Sequence, residues 1–180
     1  MSIDLALRPA SVADAEALFA FEMANRHYFE RFINSRGDAF YTPEAVAASL
    51  RTLEADREAD RGYAFLVWRG PAVVARVNFT SVERKLFHSA SLGYRVAESE
   101  AGRGVTSSAV AQAMALAFTD LRLWRVEATV AEFNRGSQRV LEKNGFQRFG
   151  LARRAFLQGG AWQDLAYYEC HAEHDRWTKA

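Results

Sequence analysis

A chain of 180 residues with a formal net charge of +1, 49 % hydrophobic and 25 % charged residues has the make-up of one soluble domain, able to bury about 70 % of the surface its unfolded form exposes. That balance excludes a disordered or fibrous chain and a general nucleic-acid binder. Cys170 is the only cysteine, which excludes an internal disulfide and suits a reducing compartment.

The opening MSIDLALRPA lacks the basic and apolar regions of a signal peptide, and the longest near-apolar run, AVAQAMALAF, is too short to span a bilayer. A cytoplasmic protein with no membrane partner is expected. IDLALRP alternates apolar and polar residues up to a proline and predicts a first strand. SVADAEALFAFEMANRHYFERF (11–32) opens with a Ser-x-x-Asp cap and places Val12, Ala15, Leu18, Phe19 and Glu22 or Met23 at helical spacing. INSRGDAFY reads as a loop. TPEAVAASLRTLEADREAD (42–60) is a second helix, with Thr42 as N-cap, Pro43 at the first helical position and Glu44 in the first turn.

From Gly62 the period becomes two. YAFLVWRG, AVVARVNFTSV and HSASLGYRV predict three antiparallel strands, the first pair joined tightly at Gly70-Pro71. VTSSAVAQAMALAFTDL (105–121) is a helix of small residues suited to close burial on a sheet. RVEATVA is a strand, residues 135–144 form a short helix with Asn134 as N-cap and Gly145 as left-handed stop, and FQRFGLARRAFL and DLAYYECHA form a hairpin through QGGAWQ. The element order is β-α-α-β-β-β-α-β-α-β-β, with no repeat, linker or domain boundary, so a single domain over 1–180 is expected.

Two stretches carry chemistry. EAGRGVTSSAV is a glycine-rich turn running straight into a helix, which offers free backbone N–H groups and a positive dipole end to an anion. It is neither a Rossmann nor a Walker pattern. Residues 101–154 hold nine Lys/Arg against four acids, a local excess suited to a compact polyanion such as a nucleotide-bearing cofactor. In NRGSQRVLEKNGF, Asn134 and Gly145 explain the two ends of the helix, but helix propensity does not explain Ser137 in the first turn.

In combination, the strand, the GRGV turn, the buried helix, the next strand and NRGSQRVLEKNGF, with Asn134 thirty residues past Gly104, resemble the acetyl-CoA-dependent GNAT superfamily of N-acyltransferases. The stretches ANRHYFERFINSRGDAFYT, VNFTSVERKLFHSASLGYRV, NRGSQRVLEKNGF and AFLQGGAWQDLAYY are most similar to ribosomal-protein-alanine N-acetyltransferases of the RimJ/RimL type. The resemblance implies an α/β (α+β) GNAT fold, a mixed, mostly antiparallel seven-stranded sheet flanked by about four helices. It implies acetyl-CoA as cosubstrate, no metal, and a primary amine as acceptor, foremost the N-terminal α-amine of a protein. A monomer or homodimer fits that reading.

By the same resemblance, Tyr94, Arg95 and Val96 lie on the strand whose backbone pairs with pantetheine, and the turn of Gly102, Arg103, Gly104, Val105 and Thr106 holds the pyrophosphate. Asn134 meets the pantetheine arm. Ser137 lies near the sulfur and donates to the departing thiolate, while an N–H of the Tyr94 strand polarises the carbonyl, so Ser137 and Tyr94 are the catalytic candidates. Three positions depart from the family pattern: Ala101 stands where Gln or Arg is usual, Thr106 where Gly or Ala is usual, and Ala155 where some relatives carry a glutamate base. An α-amine with a pKa of about 8 needs little help from a base. The alternatives are a small amine or antibiotic as acceptor, and a CoA-binding sensor without turnover. An acid-lined trough beyond the thioester would favour a peptide and a deep closed cavity a small amine.

The remaining polar residues read blandly. Cys170 has no His partner pattern of a nucleophile. His27, His88, His171 and His174 show no metal spacing beyond an isolated His-x-x-His. Glu83 and Asp164 read as strand-end charges, and Trp68, Trp124 and Trp162 as core or hairpin packing.

Overall fold

The structure is a computed structural model that describes residues 4–173; His174 lies outside them. Seven strands and four α-helices follow one another as β1 (Ala6–Pro9), α1 (Ala15–Glu30), α2 (Pro43–Glu58), β2 (Tyr63–Arg69), β3 (Ala72–Glu83), β4 (Ser89–Val96), α3 (Val105–Thr119), β5 (Arg125–Ala131), α4 (Arg135–Lys143), β6 (Gln147–Gln158) and β7 (Ala161–His171). The element order and the mixed, mostly antiparallel sheet are those expected from the sequence.

The strands form one sheet in the order β1-β2-β3-β4-β5-β7-β6, and only the β4–β5 pair is parallel. α3 and α4 cover one face, where Val77, Phe79, Leu92, Val110, Met114 and Leu141 meet; α1 and α2 cover the other, where Leu18, Phe21, Val46, Leu50 and Leu66 meet. Burial on both faces explains why β2 reads AFLV without a break, since alternate residues feed opposite cores. α3 meets the sheet through Val105, Ala109, Val110, Ala113 and Ala117, all buried. Its small side chains let the helix axis approach closely.

Local chemistry sets the element ends. Asp14 accepts from the Ser11 N–H at 2.9 Å, but the first turn is a 3-10 turn (Val12–Asp14) and α1 proper starts at Ala15. Thr42 Oγ1 accepts from the Ala45 N–H at 3.1 Å, capping α2 as expected. At the end of α4, Gly145 adopts φ 81°, its N–H donates to the Glu142 carbonyl, and the Phe146 N–H donates to the Leu141 carbonyl. These two bonds form a Schellman motif, sealed by the buried Leu141 and Phe146 side chains.

The β6–β7 connection is tighter than the six residues expected. Gly159 and Gly160, both at positive φ, form a two-residue turn, and Ala161–Gln163 belong to the strand. Two adjacent glycines suit a type I′ hairpin, which requires positive φ at both central positions. Trp162 on that hairpin is 62 % exposed, so it packs in neither core, whereas Trp68 is half-buried against the α1/α2 face.

Candidate active site

β4 and β5 are paired for only three residues, Ser89–Ser91 against Arg125–Glu127, and then part. The gap between Leu92–Val96 and Ala128–Ala131 opens a cavity of about 890 Å³. Its walls are the open edges of β4 and β5, the turn before α3, α4 and, around the end of α1, Tyr28, Phe29, Phe32, Ile33 and Asn34.

The open edge of β4 can be read from its neighbour. The Ala97 N–H donates to the Val74 carbonyl of β3 at 2.9 Å, and Arg76 stands opposite Arg95. Backbone groups alternate sides along a strand, so the N–H and C=O groups of Tyr94 and Val96 face the gap. They supply an unpaired strand edge to an extended ligand.

The turn before α3 is built for an anion. Gly102 and Gly104 have φ 74° and 82°, and no atom within 4 Å would meet a Cβ on Gly102. The first helical bond runs from the Ser108 N–H to the Gly104 carbonyl, and Gly104 carries no capping side chain. The N–H groups of Val105, Thr106 and Ser107 therefore have no helical partner. Glu100, buried just before this turn, is held by Arg69 of β2 at 2.6 Å. Arg135, Arg139 and Lys143 of α4 also line the cavity; the C-terminal end of α4 adjoins the turn, where Asn144 donates to Ser107 Oγ at 3.3 Å, which brings Lys143 of the local basic excess near it, while Arg135 at the other end pairs with Glu132.

At the start of α4, Asn134 Oδ1 accepts from the Ser137 N–H at 3.1 Å, leaving its amide donors open to the cavity. The Tyr94 hydroxyl crosses the gap to Ser137: it lies 2.8 Å from Ser137 Oγ and 3.1 Å from the Ser137 carbonyl. Burial pushes the Tyr94 phenol up to about 12, against the opposing pull of the Ser137 hydrogen bond. It therefore stays protonated across the physiological range. Ser137 in the first turn is thus tied to β4, which accounts for a residue that helix propensity leaves unexplained.

Of the residues singled out in the sequence, Tyr94, Arg95, Val96, Gly102, Gly104, Thr106, Asn134 and Ser137 line the cavity. The Val105 side chain is buried in the core while its N–H is one of the three without a helical partner, and Arg103 is exposed with its N–H donating to the Glu100 carbonyl at 3.3 Å. Arg95 turns its backbone N–H and C=O to Arg76 of β3 and not to the gap, and its side chain points to α1, where it pairs with Glu22 at 3.0 Å. Neither Glu83 nor Asp164 lines the cavity; Asp164 Oδ1 accepts from the Arg154 N–H at 2.8 Å. Ala155 lies on an irregular stretch of β6 beside the cavity-lining Phe156. Cys170 is half-buried, with its thiol pushed up by burial. Among the described residues no cluster of His, Cys, Asp or Glu is placed to hold a metal, and no helix is long and apolar enough to cross a membrane.

Among the described residues the lining includes Arg95, Arg135, Arg139 and Lys143 and no Asp, Glu or His, so no acid-lined trough is formed by them. The aromatic wall of Tyr28, Phe29 and Phe32 lies in ANRHYFERFINSRGDAFYT, a stretch the sequence already singled out, whereas the ion cluster around Glu22 escaped the sequence reading.

The arrangement can hold a phosphate-bearing ligand at the turn, run its arm along β4 and present its far end to Ser137 and Tyr94. Residues 4–147 match the family described as Acetyltransferase (GNAT) domain. The chain is 33 % identical over 160 residues to "Probable N-acetyltransferase YjcK" of Bacillus subtilis (strain 168), covering 88 % of each chain. Its fold is similar to that of the ribosomal-protein-S5-alanine acetyltransferase from Vibrio fischeri, with a TM-score of 0.91, 24 % identity and 97 % of both chains covered. It is also similar to Mycobacterium smegmatis RimJ in complex with CoA-disulfide, with a TM-score of 0.87, 27 % identity, and coverage of 98 % of this chain and 85 % of the other.

Proposed function

This chain belongs to the GNAT acetyltransferase family, and from that premise we propose that the amine it acetylates is the N-terminal α-amine of a protein or peptide. Acetyl-CoA is the cosubstrate of this family and supplies an acetyl group on a thioester. The cavity suits it by chemistry: amides without a helical partner and, towards the end of α4 that adjoins them, Arg139 and Lys143 for phosphate, and an open strand edge for an amide-bearing arm along the middle.

The acceptor reading is carried by the likeness to the alanine N-acetyltransferases; the acid-lined trough that would have favoured a peptide is absent among the described residues, and a lining without a carboxylate counts only against a polycationic acceptor. A polyamine or aminoglycoside enters as a polycation and would need acids to hold it. A peptide brings a single amine of pKa about 8, a useful fraction of which is already neutral and nucleophilic. Acid lining is needed only to bind an ammonium, so its absence is compatible with a peptide that reacts as the free amine. The names of the related alanine N-acetyltransferases support the same acceptor.

The proposed division of labour follows from the geometry. As the nitrogen attacks, the N–H groups of Tyr94 and Val96 on the open edge stand where charge collects on the thioester oxygen, an oxyanion contact of about 3–4 kcal/mol. The N–C bond forms, the C–S bond breaks, and the surplus amine proton ends on sulfur. Ser137 donates a hydrogen bond to the departing thiolate, and Tyr94 fixes the Ser137 hydroxyl through the 2.8 Å contact. A phenol with a pKa near 12 is too weak an acid to protonate a thiolate of pKa about 8.5 outright. Tyr94 therefore orients rather than discharges its proton.

The pH dependence tests this. With no Asp, Glu or His among the described residues that line the cavity, kcat/KM for an alanine-initiated peptide should rise with pH and level near the amine pKa of about 8. Tyr94 adds no falling limb below about pH 11, because its raised pKa keeps it protonated there. A profile controlled by an enzyme group at about pH 6, or one still climbing toward about 10 as for a lysine acceptor, contradicts the reading.

A further inference from the structure

On the α1 side of the gap, one carboxylate faces three guanidinium groups. Glu22 is fully buried; its Oε1 lies 3.2 Å from Arg76 Nη1 and 3.8 Å from Arg36 Nη1, and its Oε2 lies 3.0 Å from Arg95 Nη1. The acids packed nearby are engaged elsewhere: Glu30 and Asp38 with Arg26, and Glu98 with Arg31. Arg26 answers two acids and Glu22 is shared by three arginines, so the five arginines and four carboxylates of this region leave one positive charge in surplus. Burial first, and then the charge of Arg36, push the Arg76 guanidinium down to about 10, against the pull of Glu22.

The three arginines differ in access. Arg76 is sealed in the sheet, whereas the Arg36 and Arg95 side chains keep 27 % and 17 % exposure. Arg36 stacks on Phe40 with its guanidinium carbon 4.3 Å from the ring, and Arg95 lies 5.3 Å from the ring of Phe29. Aromatic support fixes the guanidinium planes and leaves N–H edges for a ligand. Phe29 and Arg95 line the cavity, as does Asn34, two residues before Arg36.

We propose that Arg36 and Arg95 form an anion-recognition site for a carboxylate side chain of the acceptor polypeptide, carried one or two residues behind its reacting amine. The inference rests on the peptide reading above. Its reach follows from chain geometry: Tyr94 and Arg95 are neighbours on β4 with side chains on opposite faces, and an extended peptide advances about 3.3–3.6 Å per residue. An acid at the second or third position of a chain threading the gap meets the two arginines. There it makes charge-assisted, bidentate contacts.

The test compares two peptides that differ only at positions 2 and 3, Ala-Asp-Asp against Ala-Asn-Asn. The wild-type protein should favour the acidic peptide by about tenfold in kcat/KM, expressed in KM and weakened by salt. Arg36→Gln should bring the ratio close to one while leaving kcat/KM on the neutral peptide within about twofold, and Arg36→Lys should restore part of the preference. Equal use of both peptides by the wild type, or a preference that survives Arg36→Gln, overturns the anion site and leaves the α-amine reading standing. If neither peptide is acetylated while small amines are, both fall.

Discussion

Replacing Glu22 by glutamine lowers stability by about 3–5 kcal/mol, because it leaves three guanidinium groups converging on a site with no counter-charge. For a chain of this size that is a drop of about 10 °C in Tm. The loss reflects uncompensated charge and not the strength of any one pair, so adding Arg76→Met to the same variant should recover part of it. A Tm within about 2 °C of wild type would show that water, not Glu22, neutralises the cluster. The cluster also matters to the site: Glu22 ties α1 to β3 and, through Arg95, to the strand segment that borders the gap.

The second large effect is kinetic. Ser137→Ala removes the hydroxyl proposed to meet the departing thiolate and should lower kcat by about 10²-fold. The cofactor contacts assigned to the α3 turn and β4 backbone remain, so CoA at 100 times its Kd should still add about 2.7 kcal/mol of stability and raise Tm by about 5–10 °C. Tyr94→Phe should cost about tenfold in kcat, since it loosens the Ser137 hydroxyl without deleting it. Because Tyr94 acts through Ser137, the double variant should be no slower than Ser137→Ala alone. Additive losses would give Tyr94 an independent part in the chemistry. Parallel losses of turnover and CoA stabilisation in Ser137→Ala would recast the serine as a cofactor anchor.

Much of this site was legible because its parts are local. The cap at Asn134, the stop at Gly145 and the glycine turn before α3 are each written within a few residues, and the structure realises each where expected. Ser137 could be singled out as surplus to helix formation, but its partner Tyr94 lies 43 positions away, a separation that no periodicity reveals. The gap between β4 and β5 is equally silent, since both strands read as ordinary apolar segments and the separation depends on how far two non-consecutive strands stay paired. The Glu22 cluster left a fainter trace. An acid at a core-facing position of α1, and Arg76 in the middle of the otherwise apolar AVVARVNF of a strand buried on both faces, are two charges that cannot stay unpaired. The sequence places each in the interior but does not say that they meet.

The claim that joins these observations is transfer of acetyl from acetyl-CoA to an α-amine, and the position of the acetyl group on the product tests it most directly. An alanine-initiated peptide with one internal lysine, incubated with acetyl-CoA and the protein and sequenced by mass spectrometry, should carry a single acetyl group on the α-nitrogen; the same peptide with a blocked N-terminus should stay unmodified. Acetyl on the lysine, or efficient acetylation of polyamines or aminoglycosides with no N-terminal peptide accepted, would contradict it.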